Sequence, residues 1–165
     1  MKPEEIIERF HCEPEDEYDK ALIFSLKKWI ADEINEMCDN GICALIFSLE
    51  GLRGYIGYNT EKQLAEYGRG LDNWKNFKFA SVNDDTAVEG SVEMWYGFKG
   101  FEDMPYGKER FATRYYGCAM NAYLQLVSDG VIRERFGRNI EAEFMGYNLE
   151  GHIRLIVDDD GEMTY

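Results

Sequence analysis

ICALIFSL, Ile42 to Leu49, is an apolar run of strand length, and together with the turn and return behind it this run sets the fold class. A strand apolar on both faces suits the middle of a sheet, so the run reads as a central strand. Glu50-Gly51-Leu52-Arg53-Gly54 turns the chain, and Tyr55-Ile56-Gly57-Tyr58 returns as its hairpin partner. Hairpin geometry accounts for Gly51, Gly54 and Gly57, since neither GxGxxG nor GxxxxGK[ST] is present. Asn59 or Thr60 then caps a helix over TEKQLAEYGRG, which Gly68 and Gly70 end.

Working outward, Leu22, Leu26, Trp29, Ile30, Ile34 and Met37 recur at three- and four-residue spacing. Lys27, Lys28, Asp32, Glu33 and Glu36 take the other side, so an amphipathic helix is expected from Tyr18 to Asp39, stopped by Asn40-Gly41. Pro3 with acids behind it opens a short helix before that. Downstream, NFKFASV (76–82) and SVEMWYGF (91–98) read as strands, and 101–107 reads as a loop. A second long helix is expected over 108–128, with Phe111, Tyr115, Ala119, Ala122 and Leu126 as its buried stripe. Strands at 140–147 and 152–157 close the chain, joined by the turn Asn148 to Gly151. The expectation is a single α+β domain over 1–165: a largely antiparallel sheet of about six strands covered by two long helices. Residues 1–17 form a more loosely attached helix and loop.

At 165 residues one core suffices, because a chain of this size buries ~70 % of its unfolded surface. Apolar residues make up 45 %, which excludes a disordered chain. Cys12, Cys38, Cys43 and Cys118 contain no CxxC pair and keep no ligand-like rhythm with His11 and His152, so no zinc site and no cofactor are expected. Without a bilayer-length apolar run or a basic, greasy leader, the reading is a cytoplasmic protein with reduced thiols and no membrane association.

Thirty-two acids against 18 Lys plus Arg give a net charge of -14. That field repels phosphate backbones and attracts cationic surfaces, which excludes direct nucleic-acid binding and admits a basic protein partner; solubility alone is the plainer account. Residues 1–50 hold 13 acids and 5 bases, 51–100 hold 7 and 6, and 101–165 hold 12 and 7. The excess lies at the two ends and forms one patch only if the fold joins them.

Asp158-Asp159-Asp160 reads as a solvated strand end, a partner-facing acidic edge, or two carboxylates of a metal site. The calcium-loop pattern fails, because Ile156 stands where a ligand is needed. On an extended chain only Asp158 and Asp160 share a side. Asp84 and Asp85 lie in a polar turn, and Phe101 and Tyr106 enclose Glu102 and Asp103, a loop in which rings anchor and charges select a basic partner. No GxSxG elbow occurs, and Arg133, Arg135 and Arg138 after the second long helix read as helix capping or salt bridging, or as an anion site. No residue is assigned a catalytic role.

The strand ALIFSL with its turn, the returning GYIGYNTEKQL, the helix YYGCAMNAYLQLVSDGV and the last strand RLIVDDDG together span about Ala44 to Gly161. In this pattern the chain resembles small acidic bacterial immunity proteins encoded beside polymorphic or contact-dependent toxins. The resemblance implies a cytoplasmic binder that occludes a toxin domain, such as a nuclease with a positive groove. The competing reading is a small-ligand binder or hydrolase with a cleft between helices and sheet, using Asp158 or Asp160 and an arginine.

Overall fold

The computed structural model describes residues 1–50, 53–68, 78–79, 107–146, 153–158 and 162–165. In chain order these form α1 (Pro3–Arg9), α2 (Glu17–Glu36), β1 (Ile42–Glu50), β2 (Arg53–Thr60), α3 (Glu61–Tyr67), β3 (Lys78–Phe79), α4 (Gly107–Ser128), α5 (Val131–Phe136), β4 (Glu141–Gly146), β5 (Ile153–Val157) and β6 (Met163–Thr164). The class is α+β.

The strands lie in the order β3-β2-β1-β4-β5, with the two-residue β6 on the outer side of β5. β1 is central, as its composition requires. It pairs antiparallel with β2, Leu45 opposite Tyr58 and Phe47 opposite Ile56, and parallel with β4, Leu45 opposite Ala142 and Phe47 opposite Phe144. The sheet is therefore mixed: among the described residues its pairings are antiparallel, as expected, except where β1 meets β4. A tight hairpin reverses the chain between β1 and β2, whereas β4 comes in after the long excursion through α4 and α5, the kind of connection that permits a parallel neighbour. Among the described residues the two long helices are α2 and α4, accompanied by three short ones. The strand expected at 91–98 lies outside the described residues, and β6 was not expected.

Each local start has a chemical cause. Asp16 caps α2 by accepting from the Asp19 amide at 2.9 Å. Thr60 caps α3 in a capping box, its hydroxyl accepting from the Gln63 amide while Gln63 Oε1 accepts from the Thr60 amide. Between α4 and α5, Gly130 takes φ +77°, a left-handed turn that costs other residues dearly.

The core fills one face of the sheet. Leu45, Phe47, Ile56, Tyr58, Ala142, Phe144, Leu155 and Val157 alternate inward to meet Leu22, Leu26, Trp29, Ile30 and Ile34 of α2 and the length of α4. The α2 stripe is the expected one, with one correction: Glu33, placed on the polar side by its spacing, is only 3 % exposed. It falls inside the stripe, four residues on from Trp29 and three from Ile30 along the helix. Helix α4 is buried on every side from Arg114 to Leu124, more than an amphipathic stripe predicts. It packs on β1 and β4 beneath, and against α1, α2 and α5. Tyr116 and Tyr123 donate their hydroxyls to the carbonyls of Phe144 and Ile140, so α4 is joined by hydrogen bonds to the β4 segment it covers. Phe47 and Phe144 stack at 4.5 Å, with Tyr123 edge-on to both.

Candidate functional site

The N-terminal segment crosses α4 on a face built to hold it. Arg114 donates to the Glu13 carbonyl at 2.7 Å, Asn121 donates to the Cys12 carbonyl at 2.8 Å, and Cys12 Sγ lies 3.8 Å from Met120 Sδ. A Cβ on Gly117 would stand 3.7 Å from the Cys12 Cα, so the backbones run close there. Positions 114, 117 and 121 are neighbours on one helical face. The Asp19 carboxylate, fully buried, receives Arg114 Nε at 2.9 Å and the Glu15 amide at 2.8 Å. Burial works against the charge of Arg114, but the Asp19 hydrogen bond and charge prevail and hold the guanidinium above its ordinary value.

Beyond this strap, α1 lies along the last strand. The Met163 amide donates to the Met1 carbonyl at 2.8 Å, and Met1 N donates to the Met163 carbonyl at 3.0 Å and to Glu162 Oε2 at 2.8 Å. At the other end of α1 the Phe10 ring meets Tyr165 edge-on at 5.1 Å, and the Arg9 guanidinium sits 4.7 Å over the same ring. Ile6 is fully buried between these contacts. The two acid-rich ends of the chain are thereby joined. Glu4, Glu5 and Glu8 of α1 are exposed, as are Glu13 and Glu15 of the strap and Asp158 and Glu162 beside β6. Residues 1–17 carry seven acids and two bases, and 158–165 carry four acids and no base.

Of the residues assigned to a partner-facing surface from the sequence, Asp158 is described, and it has a local task. Its Oδ1 accepts from the Glu162 amide at 2.8 Å and its own amide donates to the Glu162 carbonyl at 2.9 Å, tying the end of β5 to the residue before β6. Asp84, Asp85, Phe101, Glu102, Asp103, Tyr106, Asp159 and Asp160 lie outside the described residues. Among the described residues no group of three or more His, Cys, Asp and Glu could hold a metal ion. No described helix is long and apolar enough to cross a membrane.

No family model, curated protein or solved structure matches the chain. Function is therefore read from geometry. The arginines after α4 behave as caps and pairs: Arg135 donates to the carbonyls of Ile34, at 2.7 Å, and Met37 at the end of α2, and Arg138 pairs with Glu61. Burial pushes the Cys12 thiol up to about 12, with Arg114 pulling back, and raises Cys118 further, so neither is a ready nucleophile. His11 is exposed at φ +52° where α1 ends.

Sequence reasoning missed a second polar cluster, on the sheet face opposite the helices. Ala44 and Ile46 are fully buried there, flanked in register by Asn59 and Gly57 of β2 and by Glu141 and Glu143 of β4. Glu141 is 8 % and Glu143 4 % exposed, and Arg154 Nε lies 3.3 Å from Glu141 and 3.8 Å from Glu143. The alternation in Ile140-Glu141-Ala142-Glu143-Phe144 signals that both acids share a face, but the ordinary inference from it is exposure.

Proposed function

We propose that this chain is a non-enzymatic binding protein of the bacterial cytoplasm that neutralises a basic protein, in the manner of immunity proteins, by covering a cationic toxin domain with the flank formed by α1, the N-terminal strap and β6. The observation that carries the reading is the pairing of Met1 with Met163, which makes one surface of the chain's two anionic ends. A field of one sign on one flank steers a cationic partner and orients it, which raises the association rate more than it strengthens the final contact. Rings supply the anchoring that charge does not: Phe101 and Tyr106 are assigned that role, and Glu102, Asp103, Asp84, Asp85 and the aspartates 158–160 are assigned the selection of a basic partner. Inhibition follows from occlusion: a groove that recognises phosphates cannot do so while carboxylates fill it.

Co-expression with the basic protein encoded beside this gene tests the reading. The expected result is a complex at low salt whose association slows as ionic strength rises and the screening length falls toward ~8 Å. Reversing Glu4, Glu8 and Glu162 to lysine should weaken that complex. Failure to isolate a complex at any ionic strength, or one indifferent to the reversal, would end the proposal.

A further inference from the structure

A cleft of about 360 Å³ opens beside the start of β1, lined by Asp39, Gly41, Glu61, Arg135, Phe136 and Arg138 among others, and none of its lining residues belongs to the acidic flank. That volume is at the lower end of the ~300–1,000 Å³ range of small-molecule sites. Its walls come from three places in the chain, residues 39–42, Glu61 and residues 135–138, each fixed to the next. Arg135 holds the end of α2 through the Ile34 and Met37 carbonyls, the Glu61 amide donates to the Gly41 carbonyl at 2.9 Å, and Arg138 pairs with Glu61. Tyr58 donates its hydroxyl to Asp39 at 2.7 Å. The site is assembled before any ligand arrives.

The two carboxylates of the cleft are thus engaged by donors of the chain itself, whereas the guanidiniums are not used up. A guanidinium carries five N–H groups in a planar fork. Arg135 directs one at each of two carbonyls, and Arg138 gives one nitrogen to Glu61. Arg135 is also braced against the Phe136 ring, with its central carbon 5.1 Å from the centroid. Two held guanidinium forks with spare edges match an oxyanion, which they can grip through paired charge-assisted hydrogen bonds. The Arg138–Glu61 pair, with side chains 47 % and 64 % exposed, is one that an arriving anion can compete with.

We propose that this cleft binds a small molecule through its phosphate or carboxylate group, taken by the spare guanidinium edges of Arg135 and Arg138. The size of the cleft and the net charge of -14 exclude a nucleic-acid backbone as the occupant. The site shares no residue with the acidic flank, so the two proposals fail separately.

Titration with inorganic phosphate in one arm and acetate in the other, at constant ionic strength in chloride, monitored by nitrogen-15 NMR, tests it. Saturable shifts of the Gly41 amide and the two arginine Nε resonances are expected in at least one arm; the phosphate arm identifies a phosphorylated ligand, the acetate arm a carboxylate. Arg138→Gln should weaken binding at least about tenfold, since one charge-assisted contact is lost. Its thermal melt should match the parent's, because Arg138 is exposed, and Arg135→Lys, which keeps the charge but loses the half-buried planar fork, should weaken binding as well. Shifts that never saturate in either arm, or Arg138→Gln binding as tightly as the parent, would overturn the proposal. Complex formation with the basic partner should be unchanged in Arg138→Gln.

Discussion

Replacing Arg114 by methionine should be among the most destabilising single changes that leave the core's volume nearly intact. Arg114 is 7 % exposed and Asp19 is fully buried, so the substitution strands a carboxylate away from water and removes the bond to the Glu13 carbonyl. Breaking a buried pair by deleting one partner costs about 3–5 kcal/mol, a large share of the ~5–15 kcal/mol that separates folded from unfolded domains. At roughly 2–4 °C per kcal/mol for a chain of this size, the melting temperature should fall by about 6–20 °C. The double variant Asp19→Asn with Arg114→Met removes the stranded charge and should recover part of the loss, giving a coupling energy of at least about 1 kcal/mol in urea unfolding. Because the pair fastens the strap, amide exchange in α1 should rise in Arg114→Met before exchange in β1 does. Additive single losses, within about 0.5 kcal/mol, would show that the pair does not act as a unit.

Stability should fall at alkaline pH through Cys12. Its thiol is held at about 12 against an ordinary 9.0, so folding favours the protonated form; that contribution is whole below pH 9 and is lost as pH rises to 12. At about 1.4 kcal/mol per pH unit the loss approaches 4 kcal/mol, and urea unfolding of Cys12→Ala should show a shallower decline than the parent over the same window. Tyr58, raised from 10.0 to about 12 by burial and by Asp39, adds to the loss between those values. Phe144→Ala, which removes a ring stacked on Phe47 and edge-on to Tyr123, should cost about 3–5 kcal/mol by calorimetry. Asp158→Ala should loosen the tie between Asp158 and Glu162 that seats β6, seen as faster exchange of the Glu162 and Met163 amides with β1 unaffected.

What the sequence disclosed was local. The stripe from Leu22 to Met37, the cap at Thr60 and the return of Tyr55 to Tyr58 against Ile42 to Leu49 follow from periodicity and side-chain chemistry within a few residues. The parallel pairing of β1 with β4 was not legible, because nothing in EAEFMG names its neighbour and turn signals reveal only consecutive partners. The burial of Glu141, Glu143 and Glu33 was hidden for a related reason, since an acid at a regular spacing is ordinarily read as facing water. That both ends carry surplus acid was plain from counting. That Met1 lies on Met163 depends on a contact 162 residues apart, which composition cannot show. The cleft is of the same kind: Arg135 and Arg138 were legible as caps, but Gly41 and Glu61 reach them only through the folded chain.

The most direct test of the central claim is amide hydrogen exchange on the chain alone and in complex with its basic partner. Docking on the acidic flank predicts protection over residues 1–10 and 162–165 and around Asp158. Protection confined to α2, α5 or the mouth of the cleft, with α1 and β6 exchanging as in the free chain, would contradict it.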